Sequence, residues 1–181
     1  MSIRLSLLAI LDQGECYGYQ LRAEFERRTG GSWPLNVGQV YATLDRLERD
    51  GLATKSAVDG NGHVNYSITP RGSAEVADWL TAPSEPGRDE FAIKLALAIT
   101  LPGADARALI ATQRAALREA APVAAPAASL EQRLVRDART FAAEAQLRWL
   151  DHCEALIAGA EPYGLESEAP RRGRPVRATE I

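Results

Sequence analysis

Residues 33–52 read WPLNVGQVYATLDRLERDGL, and their pattern decides the fold. Asn36 suits a helix N-cap, because its short side chain accepts backbone N–H groups left open at a helix start. Gln39 stands three residues on, where a capping box needs a side chain that reaches back. Val40, Leu44 and Leu47 then recur on one apolar stripe, and Asp50 followed by Gly51 ends it. Pro34 keeps the chain extended on entry. The other face, with Gly38, Gln39, Ala42, Thr43 and Arg46, is small and polar. Such a helix packs on one side and offers the other to a partner.

The segments on either side say which partner. Residues 3–11, IRLSLLAIL, are apolar at helical spacing and stop before Gly14, which predicts a buried first helix. Residues 17–29 place Tyr19, Leu21 and Phe25 among charged residues before Gly30 and Gly31, which predicts an amphipathic second helix. After the quoted helix the period changes to that of strands over 52–58 and 63–68. Asp59, Gly60, Asn61 and Gly62 between them suit a hairpin turn. Thr69 and Pro70 then open a fourth helix through Leu80. Three helices, a hairpin and a helix make a winged helix-turn-helix, in which the third helix enters the DNA major groove and the wing follows the backbone. In that setting Gln39 suits a two-bond contact to adenine, and Arg46 suits guanine or phosphate. The plainer reading leaves Gln39 as a cap partner and Arg46 as a solvated charge.

LLAIL near the N-terminus, YGYQL, WPLNVGQVYATLDRLERDGL and YSITPRG, in that order and spacing, resemble the PadR-like transcriptional regulators over residues 3 to about 80. The resemblance implies a dimeric repressor that binds a palindromic operator in double-stranded DNA and is released by a small, often aromatic, effector. It places Tyr17, Tyr19, Gly38, Gln39, Tyr41 and Thr43 near DNA, with Trp33 beside the recognition helix. Trp33 lies in a loop after Gly30 and Gly31, where it is a candidate effector-site residue or packs below the recognition helix. His63 and Asn65 are the wing candidates, standing where family wings usually carry arginine or lysine.

Residues 82–88, APSEPGR, read as a linker. Beyond it, DEFAIKLALAITL over 89–101 predicts a buried helix, and an Ala-rich helix runs to about Ala121. A long helix from Leu130 to about Ala158 then repeats Leu134, Ala138, Phe141, Ala145 and Trp149 at steps of three and four. Apolar faces of this extent predict a homodimer built on this arm. The expected architecture is mainly α with a small β-hairpin. It comprises a winged helix-turn-helix over 1–81, a linker over 82–88, a C-terminal α-helical dimerisation arm over 89–160, and a polar, flexible tail over 161–181. In that tail Arg171-Arg172-Gly173-Arg174-Pro175 resembles an AT-hook core, with Arg172 and Arg174 suited to a narrow minor groove; a solvated basic tail is the other reading.

Composition bounds the alternatives. The net charge is -3, and residues 1–80 hold eight basic against ten acidic residues, so DNA binding has to come from local patches. Cys16 and Cys153 lie far apart without the spacing of a zinc site, and no phosphate loop or nucleophile motif occurs, so neither metal, cofactor nor catalysis is expected. With no membrane-length apolar run and no signal pattern, the expected location is the cytoplasm. A winged-helix adaptor that binds protein instead of an operator is the alternative to a repressor.

Overall fold

The structure, a computed structural model, describes residues 3–58, 63–84, 90–120 and 129–166. In chain order the elements are α1 (Ile3–Leu11), β1 (Cys16–Tyr17), α2 (Gly18–Arg28), α3 (Val37–Arg49), β2 (Ala53–Val58), β3 (Val64–Ile68), α4 (Pro70–Thr81), α5 (Glu90–Ala98), α6 (Ala106–Glu119) and α7 (Leu130–Leu156), with a 3-10 turn at Ile157–Gly159. They form two compact units. The winged-helix unit comprises Leu7–Ser73 and Gly164–Ile181, and the helical unit comprises Met1–Ser6 and Ala74–Tyr163, so the division falls inside α1 and inside α4.

In the winged-helix unit the stripe Val40, Leu44 and Leu47 is fully buried, as are Leu7, Leu8, Leu21 and Phe25. The capping box forms: Gly38 N donates to Asn36 Oδ1 at 2.8 Å, and Asn36 N donates to Gln39 Oε1 at 3.3 Å. At the other end of α3, Gly51 takes φ 70°, a left-handed conformation that glycine adopts without steric cost. Gly51 N then reaches Glu48 O at 2.9 Å and Leu52 N reaches Leu47 O at 2.9 Å, closing the last turn.

That closed turn seats the start of α4. Thr69 N donates to Leu52 O at 3.0 Å, Thr69 Oγ1 donates to Gly51 O at 2.9 Å, and the same hydroxyl caps α4 by accepting from Gly72 N at 3.1 Å. Since β2 leaves from this point and β3 returns to it, the seat closes the wing at its root. The expected hairpin is present, with Ala53 opposite Ile68 and Lys55 opposite Tyr66, and a register shift before Val58 meets Val64. Its expected turn residues, 59–62, lie outside the described residues. The sheet has a third strand that the sequence pattern does not suggest: β1 pairs antiparallel with β3, giving the order β1-β3-β2. Two residues are too few for an alternation to show.

In the helical unit Phe91, Leu95, Leu109, Ile110, Leu117 and Leu150 share one core, and the Phe91 and Trp149 rings meet edge to face at 5.9 Å. Arg114 on α6 joins Asp151 at 2.8 Å and Glu154 at 2.7 Å on α7. Composition assigns 82–84 to a linker, but two buried side chains hold them. Lys94 Nζ donates to Ala82 O, and Gln113 brackets Ser84, accepting from its N–H at 2.7 Å and donating to its carbonyl at 3.1 Å. The Lys94 ammonium also lies 5.3 Å from the Trp79 ring centre. The start of the polar tail is held as well, because residues 164–166 bond to α2. By contrast Leu130, Leu134, Val135, Phe141 and Leu156 on α7 and its end are all more than half exposed within the single chain.

Two predictions follow from these contacts. A Cβ at Gly72 would sit 2.3 Å from Leu52 O and 2.7 Å from Ile68 Cγ1, and backbone cannot yield as a flexible side chain does. Gly72→Ala is therefore expected to lower stability by about 3 kcal/mol, the upper end for overpacking, measured by urea unfolding. Burial pushes the Lys94 ammonium down to about 8 from its ordinary 10.5. Between these values the unfolded chain holds more protons than the folded one, so this group makes stability rise with pH there and adds no slope well below 8. The stability of wild type relative to Lys94→Met should climb from pH 8 to 10.5; a difference that stays flat over that range removes Lys94 as a titrating group.

Candidate nucleic-acid interface

The exposed face of α3 carries Gly38, Gln39, Tyr41, Ala42, Asp45, Arg46 and Arg49, while Thr43 is half-buried. These positions fall on the surface because the opposite stripe is committed to the core. Their hydrogen-bonding groups are partly engaged. Thr43 Oγ1 donates to Gln39 O at 2.7 Å within the helix. Gln39 Oε1 accepts the Asn36 N–H, yet an amide oxygen has two lone pairs and the amide nitrogen two protons, so the cap leaves one acceptor site and both donors open to a base edge. Cap partner and base reader are therefore compatible roles for this one side chain.

Aromatic side chains flank that face from three elements. Tyr19 and Tyr41 meet edge to face at 6.5 Å, both more than one-third exposed. The Tyr41 ring lies over Gly18, where a Cβ would stand 2.6 Å from its Cζ. Tyr17 is placed differently from its neighbours: its side chain is buried, and its ring stacks on His63 at 4.2 Å with an interplanar angle of 8°. Tyr17 thus supports the root of the wing, holding His63 from beneath, and is not a surface contact. Its backbone is extended, with ψ 163°, since it pairs with Asn65 in the sheet as β1 passes into α2. Asn65 is accordingly half-buried on the central strand, and Val64 beside it is exposed.

Sequence reasoning missed Lys55, the cation of β2. Its Nζ lies 2.6 Å from Glu48 Oε2 and 3.6 Å from Asp45 Oδ1, both on α3, and 5.9 Å from the Tyr66 ring centre. The hydrogen bond to Glu48 is the main cause that raises its pKa. The wing cation thereby offsets part of the charge on the acidic flank of α3. The signal lay in Asp45 and Glu48, three apart on one helix flank, together with the one lysine of the hairpin.

Trp33 is half-buried in the loop before α3. A surface cavity of about 320 Å³ lies elsewhere, in the helical unit, lined by residues including Ile99, Asp105, Arg107, Ile157 and Pro162. Arg172 and Arg174 lie outside the described residues. Among the described residues no three His, Cys, Asp or Glu side chains are grouped to hold a metal ion, and no helix is long and apolar enough to cross a membrane.

Comparison with known proteins gives a family match and several relatives. A family model described as the Transcriptional regulator PadR-like family matches residues 7–78. A Mycobacterium tuberculosis protein named "Transcriptional regulator Rv3488" is 32% identical over 90 residues, which span 49% of this chain and 81% of that protein. Another from the same organism, named "Probable transcriptional regulator Rv1176c", is 29% identical over 185 residues, covering 86% of this chain and 98% of that protein. The "Negative transcriptional regulator PadR" of Bacillus subtilis is 29% identical over 98 residues, 51% of this chain and 54% of its own length. Its crystal structure with operator DNA aligns over 87% of this chain and 99% of that one, at 23% identity and a TM-score of 0.43.

The contact of Gly18 with Tyr41 yields a direct test. Gly18→Ala is expected to drive the Tyr41 ring off its seat at a cost of about 1 to 3 kcal/mol. In a Gly18→Ala, Tyr41→Ala double variant the two changes should be strongly non-additive in urea unfolding, because the alanine then enters vacated space. Additive effects would show that the two residues do not share this contact.

Proposed function

We infer, from the fact that this chain belongs to the Transcriptional regulator PadR-like family, that it is a sequence-specific DNA-binding repressor that acts as a homodimer on a palindromic operator. The observation that carries this reading is the division of α3 into a fully buried stripe and a small, polar, exposed face, with the wing root fastened beside its C-terminal end. In this reading α3 enters the major groove with Gly38 and Gln39 in its first turn, where backbone N–H groups and a short side chain approach phosphate and bases. Gln39 reads adenine, Arg46 binds guanine or phosphate, and Tyr19, Tyr41, Thr43, His63 and Asn65 line the approach. Tyr17 contributes through His63.

Residues 1–81 serve as the DNA-binding domain and 89–160 as the dimerisation arm. A second copy covers the exposed Leu130, Leu134, Val135 and Phe141 of α7, and a two-fold axis there mirrors the symmetry of a palindromic site. A small aromatic effector, with Trp33 as the candidate contact, relieves repression. Such a regulator works in the cytoplasm, on its DNA. The net charge of -2 over residues 1–80 and the pairing of Lys55 with Asp45 and Glu48 favour a second reading, a protein-binding adaptor.

Sequencing of genomic fragments retained by the purified protein, followed by titration of the recovered site at several salt concentrations, separates the two. A regulator binds one site with a steep negative salt slope, whereas an adaptor retains no preferred fragment. On that site Gln39→Ala should cost about 1 to 3 kcal/mol and relax preference at one base pair. Light scattering is expected to give twice 19.6 kDa, and a monomer at micromolar concentration would rule out the two-fold architecture.

A further inference from the structure

Lys55 is a cation whose backbone is fixed and whose partners are not. Strand pairing sets it opposite Tyr66 in the antiparallel hairpin, ahead of the register shift toward Val58. Directly opposed residues project from the same face of a sheet, and here the ammonium lies 5.9 Å from the buried Tyr66 ring and 2.6 Å from Glu48 Oε2. A second carboxylate, that of Asp45, is 3.6 Å away. At about 100° per residue, Glu48 falls on the flank of α3 beside the wing. Asp45 falls with Gly38, Ala42 and Arg49 on the exposed face opposite the stripe Val40, Leu44 and Leu47. The ammonium therefore stands at the edge of the very face that the operator-binding reading turns toward DNA.

The side chains of Lys55, Glu48 and Asp45 are 44%, 37% and 57% exposed, and pairs this wet are held weakly. An ammonium on a flexible four-carbon stem can be re-aimed without moving its strand. A duplex brings a dense row of phosphates to the same edge. We propose that Lys55 exchanges partners on binding: in the free chain Glu48 and Asp45 hold its ammonium, and in the operator complex a backbone phosphate takes it. The proposal rests on the operator-binding reading above. Glu48 is then a restraint on DNA binding, because its carboxylate competes with phosphate for one cation. A phosphate contact carries no base information, so the restraint lowers affinity for operator and for arbitrary DNA alike and leaves the choice of sequence to α3.

Titration of the recovered operator and of a scrambled duplex at several salt concentrations tests the exchange. All three side chains are more than one-third exposed, so substitutions there leave the core untouched. Lys55→Met should weaken binding to both duplexes and reduce the salt slope by about one, so that across a fourfold rise in salt it loses about threefold less affinity than wild type. Lys55→Arg keeps the charge and should keep the wild-type slope. Glu48→Gln should strengthen binding to both duplexes by about two- to fivefold, and the gain should be smaller in a Lys55→Met background, where no cation is left to compete for. A full wild-type slope in Lys55→Met, or weaker binding by Glu48→Gln, overturns the exchange by making the pair a brace between wing and helix. An equal gain from Glu48→Gln with and without Lys55 overturns it as well, leaving Glu48 a plain repelling charge. If wild type retains no preferred fragment, the operator-binding reading fails and the exchange falls with it; any of the other adverse results, obtained with a wild type that binds its operator, sinks the exchange alone.

Discussion

The carbonyl of Leu52 is the point on which the winged-helix unit depends. It accepts the N–H of Thr69 and leaves no space for a side chain at Gly72, so the end of α3, the start of β2, the end of β3 and the start of α4 all meet there. Closing a loop of this length costs chain entropy, and the hydrogen bond from Thr69 N to Leu52 O fastens both ends of the hairpin at once. The direction of α3 is thereby tied to the direction of the wing. In the proposed interface α3 meets a groove and the hairpin follows the backbone, so the two have to keep one mutual angle, and this junction sets it.

Several charges are neutralised by local pairing, which explains how a slightly acidic unit presents an interface of the kind proposed. Glu24 and Arg28 neutralise each other within the core, Lys55 offsets part of the charge on the flank of α3, and Arg114 is spent on Asp151 and Glu154 in the helical unit. What remains on the outer face of α3 is small, polar or arginine, together with the Tyr41 ring. A count of basic and acidic residues says little about such a surface, since it gives a buried pair and an exposed arginine the same weight.

The same distinction explains what the sequence shows and what it hides. Asn36, Gln39, the stripe Val40, Leu44 and Leu47, and Gly51 act within one helix, and their spacing alone locates α3 and both of its ends. The wing strands and the start of α4 at Thr69 and Pro70 are legible for the same reason. Strand β1, the pairing of Lys55 with Glu48, and the hold of Glu24 on Glu166 are not, because each joins segments whose proximity exists only once the chain has folded. Tyr17 shows the limit for site residues: family position puts it near DNA, whereas its backbone belongs to a sheet edge and its ring to the floor under His63. Linker composition misleads at 82–84 in a similar way, since Lys94 and Gln113 on later helices bind that backbone.

The capping box of α3 also bears on how such a protein drifts over evolutionary time. Gln39 supplies the acceptor that closes the first turn of the helix, and the same side chain faces outward from it. In the proposed interface, a substitution that alters what this position recognises also alters how firmly the helix begins. Glutamate and glutamine both preserve the reach-back bond, while shorter or apolar side chains give it up. In the operator-binding reading, exploration of new target sequences at this position is confined to a narrow chemical alphabet, and larger changes of preference are channelled toward neighbours such as Ala42 and Arg46, which take no part in the capping box.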